Sequence, residues 1–235
     1  MRVLVTRGEP EAGRTATLLA SLGHRPLVAP LLTAQALRAT VDVSGVVAVA
    51  VTSARTAAFL PGDLRRAMRD LPVFAVGDRT AAALRDAGIP DVRQADGNVA
   101  ALAGLIRRAG LPPGGRILHP GGADRAGDLA GALEAQGLSV LAVTVYRMVA
   151  ALRLPETARE ALASGEVDAV LHYSPRSARI FADLVMAAGL SEAAHRPLHA
   201  CLSPAVAEAL EPLAAPRVIS SIRPDEATLL GLLAT

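Results

Sequence analysis

The chain has no lysine and no tryptophan, and its one cysteine is Cys201. Without lysine there is no Schiff-base nucleophile, no anchor for pyridoxal phosphate and no P-loop lysine. All 24 basic residues are therefore arginine, planar forks suited to carboxylates and phosphates. A single cysteine rules out an internal disulfide framework and suits a reducing compartment such as the cytoplasm. Aromatic residues make up 2% of the chain, so cores must be built from Ala, Val and Leu. No apolar run reaches the roughly 18 residues of a membrane-spanning helix, and Met1–Pro10 lacks a secretory pattern. The net charge of +2 gives no reason to expect nucleic acid as a partner.

Several motifs are missing too. There is no G-x-G-x-x-G, G-x-S-x-G or H-E-x-x-H, and the glycine-rich Gly121–Gly127 is wrongly spaced for a dinucleotide. The five histidines show no zinc-like spacing. His195 and His199 are four apart, but Pro197 between them breaks a helix. Surface or loop positions are expected for all five, with no metal.

What is present is strand–helix alternation. Short apolar runs occur at Val3–Thr6, Leu27–Ala29, Val46–Thr52, Val73–Gly77, Ile117–His119, Val140–Val145, Ala169–Tyr173, His199–Leu202 and Val218–Ile219. Stretches rich in Ala, Leu, Arg and Glu with helical spacing separate them. This pattern predicts parallel sheets covered on both faces. The 235 residues suit one large domain or two small ones.

The chain also repeats itself. Arg2–Pro30 matches Arg116–Thr144 at a constant offset, with Gly8, Gly13 and Gly23 falling on Gly122, Gly127 and Gly137. VTSARTA at Val51–Ala57 is similar to HYSPRSA at His172–Ala178. AVGDRTAAAL at Ala75–Leu84 is similar to CLSPAVAEAL at Cys201–Leu210. Gly97–Leu102 and Asp225–Leu230 each open a terminal helix. The ordered set indicates two homologous α/β halves, with connecting segments near Leu32–Leu37 and Tyr146–Pro155.

The strand ends are polar: Thr6–Gly8, Thr52–Arg55, Gly77–Thr80, Pro120–Gly122, Ser174–Ser177 and Ser203–Pro204. Ligands of parallel sheets bind outside these carboxyl ends, and helix N-termini attract anions. Two readings stand side by side here, ordinary helix capping and a site for a polyanion. Tyr146, after the strand VLAVTV and at the start of a connecting segment, reads on pattern as an amphipathic packing residue at a domain edge, with a functional role left open. Tyr173, which ends a strand beside Ser174, could equally be packing.

The blocks VLVTR, VAVTSARTA, VFAVGDRTAAAL, ILHPGG, VTVYRMV and HYSPRSA, in this order and spacing, resemble the uroporphyrinogen-III synthase family over the whole chain. Two departures stand out. Gly8 replaces a Pro, and Ser203–Pro204–Ala205 stands where the family shows a Gly and a Thr before the Ala. The resemblance implies two flavodoxin-like α/β domains with parallel sheets, facing across a cleft and joined by a two-stranded linker. It places 1–32 plus 152–235 in one domain and 36–145 in the other, with linkers at 33–35 and 146–151. It implies a monomer without cofactor or metal, acting on a small-molecule tetrapyrrole. The substrate would be hydroxymethylbilane, a linear polycarboxylate. Loss of its hydroxyl, attack at the substituted position of the last pyrrole and rearrangement would close the ring with that pyrrole inverted. On this reading Tyr146 assists departure of water. Arg7, Thr52, Ser53, Arg55, Gly77, Arg79, Thr80, Gly121, Ser174, Arg176 and Ser203 bind carboxylates. A non-catalytic two-domain module that binds a small polyanion is the alternative.

Overall fold

The computed structural model describes residues 1–125, 127–135 and 137–234. Ala126, Gln136 and Thr235, which fall inside the domain ranges above, lie outside the described residues. The strands among them are β1 (Arg2–Val5), β2 (Arg25–Val28), β3 (Leu32–Ala36), β4 (Val46–Val51), β5 (Val73–Ala75), β6 (Val92–Gln94), β7 (Arg116–Gly122), β8 (Ser139–Ala150), β9 (Ala169–His172), β10 (Leu198–Cys201) and β11 (Val218–Ser220). The chain divides into two compact units. Unit 1 is Met1–Thr33 with Val149–Thr235, and unit 2 is Ala34–Met148.

Unit 1 holds a five-stranded sheet in the order β11-β10-β9-β1-β2, every pairing parallel. Counted along this unit, that is the 2-1-3-4-5 order of flavodoxin-like sheets. Alternate residues feed opposite faces. Leu4, Val170 and Cys201 join a core around Phe181, while Val3, Val5, Leu171 and Ala200 join a second core with Leu19 and Leu229. Burial on both faces is why these strands read as continuous apolar runs.

Unit 2 holds the order β3-β8-β7-β4-β5-β6. Val49, Val51, Val73 and Ala75 face one core with Leu84 and Tyr146. Ala48, Ala50, Phe74 and Ile117 face the other with Leu102 and Ile106. If β7 and β8 are set on β1 and β2, the strand order of unit 1 reappears, and so does the pairing register. Arg116↔Ser139 repeats Arg2↔Arg25. Val49↔Leu118 repeats Leu4↔Val170. Val51↔Ala75 repeats Cys201↔His172, and Ala75↔Gln94 repeats Cys201↔Ser220. The sequence repeat is thus a repeat of hydrogen-bond register.

The segments at 33–35 and 146–151 are largely extended strand, in β3 and β8, which are neighbours in the sheet. Leu37 N donates to Val145 O at 2.9 Å, and Ala151 N to Leu31 O at 3.0 Å. The histidine expectation needs correction. His119, His172 and His199 are buried strand residues, because the strand period turns each inward and each ring finds a partner there.

Candidate functional site

In unit 2 the carboxyl ends of β7, β4 and β5 lie side by side, next to the stretch of β8 around Tyr146 that pairs with the end of β7. They present Tyr146, then Gly121–Gly122, then Thr52–Ser53, then Gly77. Tyr146 is paired in register with Gly122 across an irregularity at Gly121/Gly122. Its ring rests on that glycine, since a Cβ at Gly122 would stand 2.8 Å from the ring Cζ. Gly122 is therefore needed for close approach. Phe59 closes the other side, its centroid 5.2 Å from the Tyr146 ring. Tyr146 is only 5% exposed, and its hydroxyl lies 3.5 Å from Ser53 Oγ. That is a long, weak bond, so the phenol remains able to donate elsewhere.

Around this point Thr52, Ser53 and Arg55 are half-buried. Gly77 is extended and occupies the N-cap of the helix Asp78–Asp86. Thr80 is buried in that helix's first turn, and its N–H donates to Gly77 O at 3.1 Å. Arg79 points to solvent. Gly121 is buried. Arg125, which the sequence did not single out, is exposed beside it, with Nη2 3.3 Å from Thr144 Oγ1. His119 Nδ1 lies 2.8 Å from Ala50 O. Burial holds this imidazole below its ordinary pKa, although the carbonyl opposes the shift.

In unit 1 the corresponding edge carries Arg7, Tyr173, Ser174 and Ser203. Ser174 caps the helix Pro175–Ala187, its Oγ accepting from Ser177 N, and Arg176 in the first turn is exposed. Ser203 is the N-cap residue of the helix Pro204–Glu208, but its side chain makes no capping bond. Arg7 stacks on Tyr173, its guanidinium carbon 3.8 Å from the ring centroid. Arg7 Nη1 donates to Glu226 Oε1 at 3.0 Å. The same oxygen accepts from Thr15 Oγ1 at 2.6 Å and from the Tyr173 hydroxyl at 2.8 Å. Burial pushes the Tyr173 phenol well above its usual range. Burial would also raise Glu226, but the bonds from Thr15 and Tyr173 and the Arg7 charge outweigh it and hold the carboxyl low.

The structure therefore joins Tyr146 to Ser53 in unit 2 and Arg7 to Tyr173 in unit 1. Thr15 and Glu226 escaped the sequence reading because nothing local marks them. Comparing the repeats was the available signal for Thr15, which falls on Leu129, whereas Glu226 matches Val99 only once the helix caps Asp225 and Asn98 are superposed.

A family model described as uroporphyrinogen-III synthase HemD matches residues 13–231. No curated protein matches the sequence. The crystal structure of uroporphyrinogen-III synthetase from Helicobacter pylori is similar in fold, with a TM-score of 0.61 at 15% identity, covering 100% of this chain and 99% of that one. A mutant uroporphyrinogen III synthase from Thermus thermophilus is 23% identical, with a TM-score of 0.48, covering 100% of this chain and 98% of that one. Among the described residues, no helix is long and apolar enough to cross a membrane.

Proposed function

The chain belongs to the uroporphyrinogen-III synthase family, enzymes that cyclise a tetrapyrrole, and from that premise we propose how its residues act. The substrate is hydroxymethylbilane. Its terminal hydroxyl leaves as water, and the resulting cation is attacked by the substituted carbon of the last pyrrole. The spiro intermediate rearranges to uroporphyrinogen III with that ring inverted, which makes the enzyme a hydro-lyase. Substrate atoms supply both electrophile and nucleophile, so the protein has to orient the chain and assist the leaving group.

The observation that carries this reading is the Tyr146 hydroxyl. It is held in an apolar wall between Phe59 and Gly122, with Ser53 Oγ 3.5 Å away. A phenol kept from water donates its hydrogen bond more effectively to an oxygen that is gaining charge. Thr52, Ser53, Gly77, Thr80, Gly121, Ser174 and Ser203 line the strand ends and bind carboxylates through hydroxyls and amides. Arg55, Arg79 and Arg176 add charge. We infer folding domains of 1–32 plus 152–235 and of 36–145. The partition at Thr33/Ala34 and Met148/Val149 supports these bounds. The reading carries with it a monomer in the cytoplasm.

Turnover of hydroxymethylbilane tests the proposal. Release of product with the inverted ring supports it. Binding without conversion would make the chain a non-catalytic polyanion-binding module.

A further inference from the structure

The edge of unit 1 holds three donors that converge on a single oxygen of the chain's own carboxylate. We propose that Arg7, Thr15 and Tyr173 form a carboxylate receptor in unit 1, that Glu226 is its resident occupant, and that a carboxylate of the ligand enters by displacing it. This rests on the reading above and deepens it at Arg7.

Four observations support the assignment. First, Arg7, Thr15 and Tyr173 all reach Glu226 Oε1, at 3.0, 2.6 and 2.8 Å. A carboxylate oxygen can accept several donors at once, and bonds to a charged acceptor are the strong ones. Second, the receptor is stiff. Tyr173 lies under the Arg7 guanidinium at 3.8 Å, and Thr15 is fully buried, so the donors hold their places when the occupant changes. Third, it sits at the ends of β1 and β9, where the strand order of unit 1 reverses direction. Sheets of this topology bind ligands there.

Fourth, the fold does not need the network. Unit 2 has the same strand order and register, yet it carries Gly121, Leu129 and Thr52 at the matching positions, and Val99 at the first helical position after the equivalent cap. A cluster dispensable to one copy of the topology is there for another reason than building it.

Exchange is feasible because the Arg7 and Glu226 side chains are 24% and 33% exposed. Glu226 can swing into water while the receptor keeps the same kinds of bond to the incoming carboxylate. A tethered occupant acts at an effective concentration of about millimolar or above. A dilute monocarboxylate therefore loses to it. A polycarboxylate anchored at other points competes on equal terms.

Sodium propionate is the probe, with ionic strength held constant by sodium chloride and the melting temperature as readout. In Glu226→Ala the melting temperature should rise saturably with propionate, as binding to the folded state requires. The unaltered chain should show no such rise over the same range, and neither should the Arg7→Gln/Glu226→Ala double variant. A flat response in Glu226→Ala overturns the proposal, as does an equal response in all three proteins.

Turnover supplies a second arm. A receptor free about one-tenth of the time weakens binding about tenfold. The KM for hydroxymethylbilane should therefore fall about tenfold in Glu226→Ala and rise in Arg7→Gln. Unchanged KM in both variants overturns displacement by the ligand. If Glu226→Ala does not fold, Glu226→Gln keeps the shape, loses the charge and should lower KM in the same direction. If the unaltered chain does not convert the bilane, the functional reading fails, and the propionate titration still decides whether the receptor exists.

Discussion

In the middle of its sheet unit 1 carries a histidine pair where unit 2 carries valines. His172 on β9 and His199 on β10 occupy the places of Val51 and Val73. His172 Nε2 lies 3.0 Å from His199 Nδ1, and His199 Nε2 lies 2.7 Å from Ala194 O. If His199 donates to that carbonyl, its Nδ1 accepts from His172. His172 Nδ1 is then a bare lone pair, buried without a partner among the described residues. The edges differ in the same way, with a charged network on Glu226 in unit 1 and glycines, hydroxyls and Tyr146 in unit 2. One strand order and one register thus accept either a polar or an apolar filling, even where one buried ring nitrogen is left without a partner among the described residues. What separates the units is decided at side chains the fold leaves free.

The largest expected effect tests the interior of unit 1. Phe181 packs edge-on against both histidines, at 5.1 Å and 5.7 Å between ring centroids, and is fully buried. Phe181→Ala should cost about 3–5 kcal/mol by denaturant unfolding, while turnover per folded molecule stays the same. A cost near that of an exposed substitution would mean that this core is loosely packed.

Acid should act on the same place. Burial holds His172 well below its ordinary pKa, with the His199 charge adding to the effect, and burial lowers His199 as well. Groups with depressed folded values bind protons more weakly folded than unfolded. Their contribution to stability is complete above the unfolded value of about 6.5. It is lost as pH falls from there through the lowered folded values, by up to about 1.4 kcal/mol per pH unit for each group. Replacing both histidines with the valines of unit 2 should flatten melting temperature against pH below that value. An unchanged slope would place acid sensitivity elsewhere.

Tyr146→Phe tests unit 2 from the opposite side. The ring and its contacts with Phe59 and Gly122 remain, and only the oxygen is lost. The turnover number should fall about tenfold, with little change in stability. Unchanged turnover would reduce Tyr146 to packing, leaving positioning and backbone amides to carry the reaction.

The smallest effect concerns the exposed arginines at the strand ends. Raising ionic strength from low to physiological should increase the KM by about two- to threefold, because partly solvated charge pairs are screened. A flat response would mean that shape and apolar contact dominate binding at both edges.

The α/β class, the strand runs and the two homologous halves were legible in the order of residues alone. They depend on local periodicity and on spacing that a second copy confirms. That reading missed β6 (Val92–Gln94), where a single buried residue, Val92, leaves no alternation to follow. It marked Tyr146, because a tyrosine after the apolar run Val140–Val145 is a local feature, although β8 continues past it to Ala150. It placed His119, His172 and His199 wrongly, because no neighbour in sequence shows, for example, that His172 will meet His199, 27 residues on. The network on Glu226 was hidden for the same reason. Arg7 and Glu226 are 219 residues apart, and only tertiary packing brings β1 and the last helix to one edge. Pattern along a chain reports which face a residue takes, whereas the partner it meets there is set by strands that pair across the whole length of the chain.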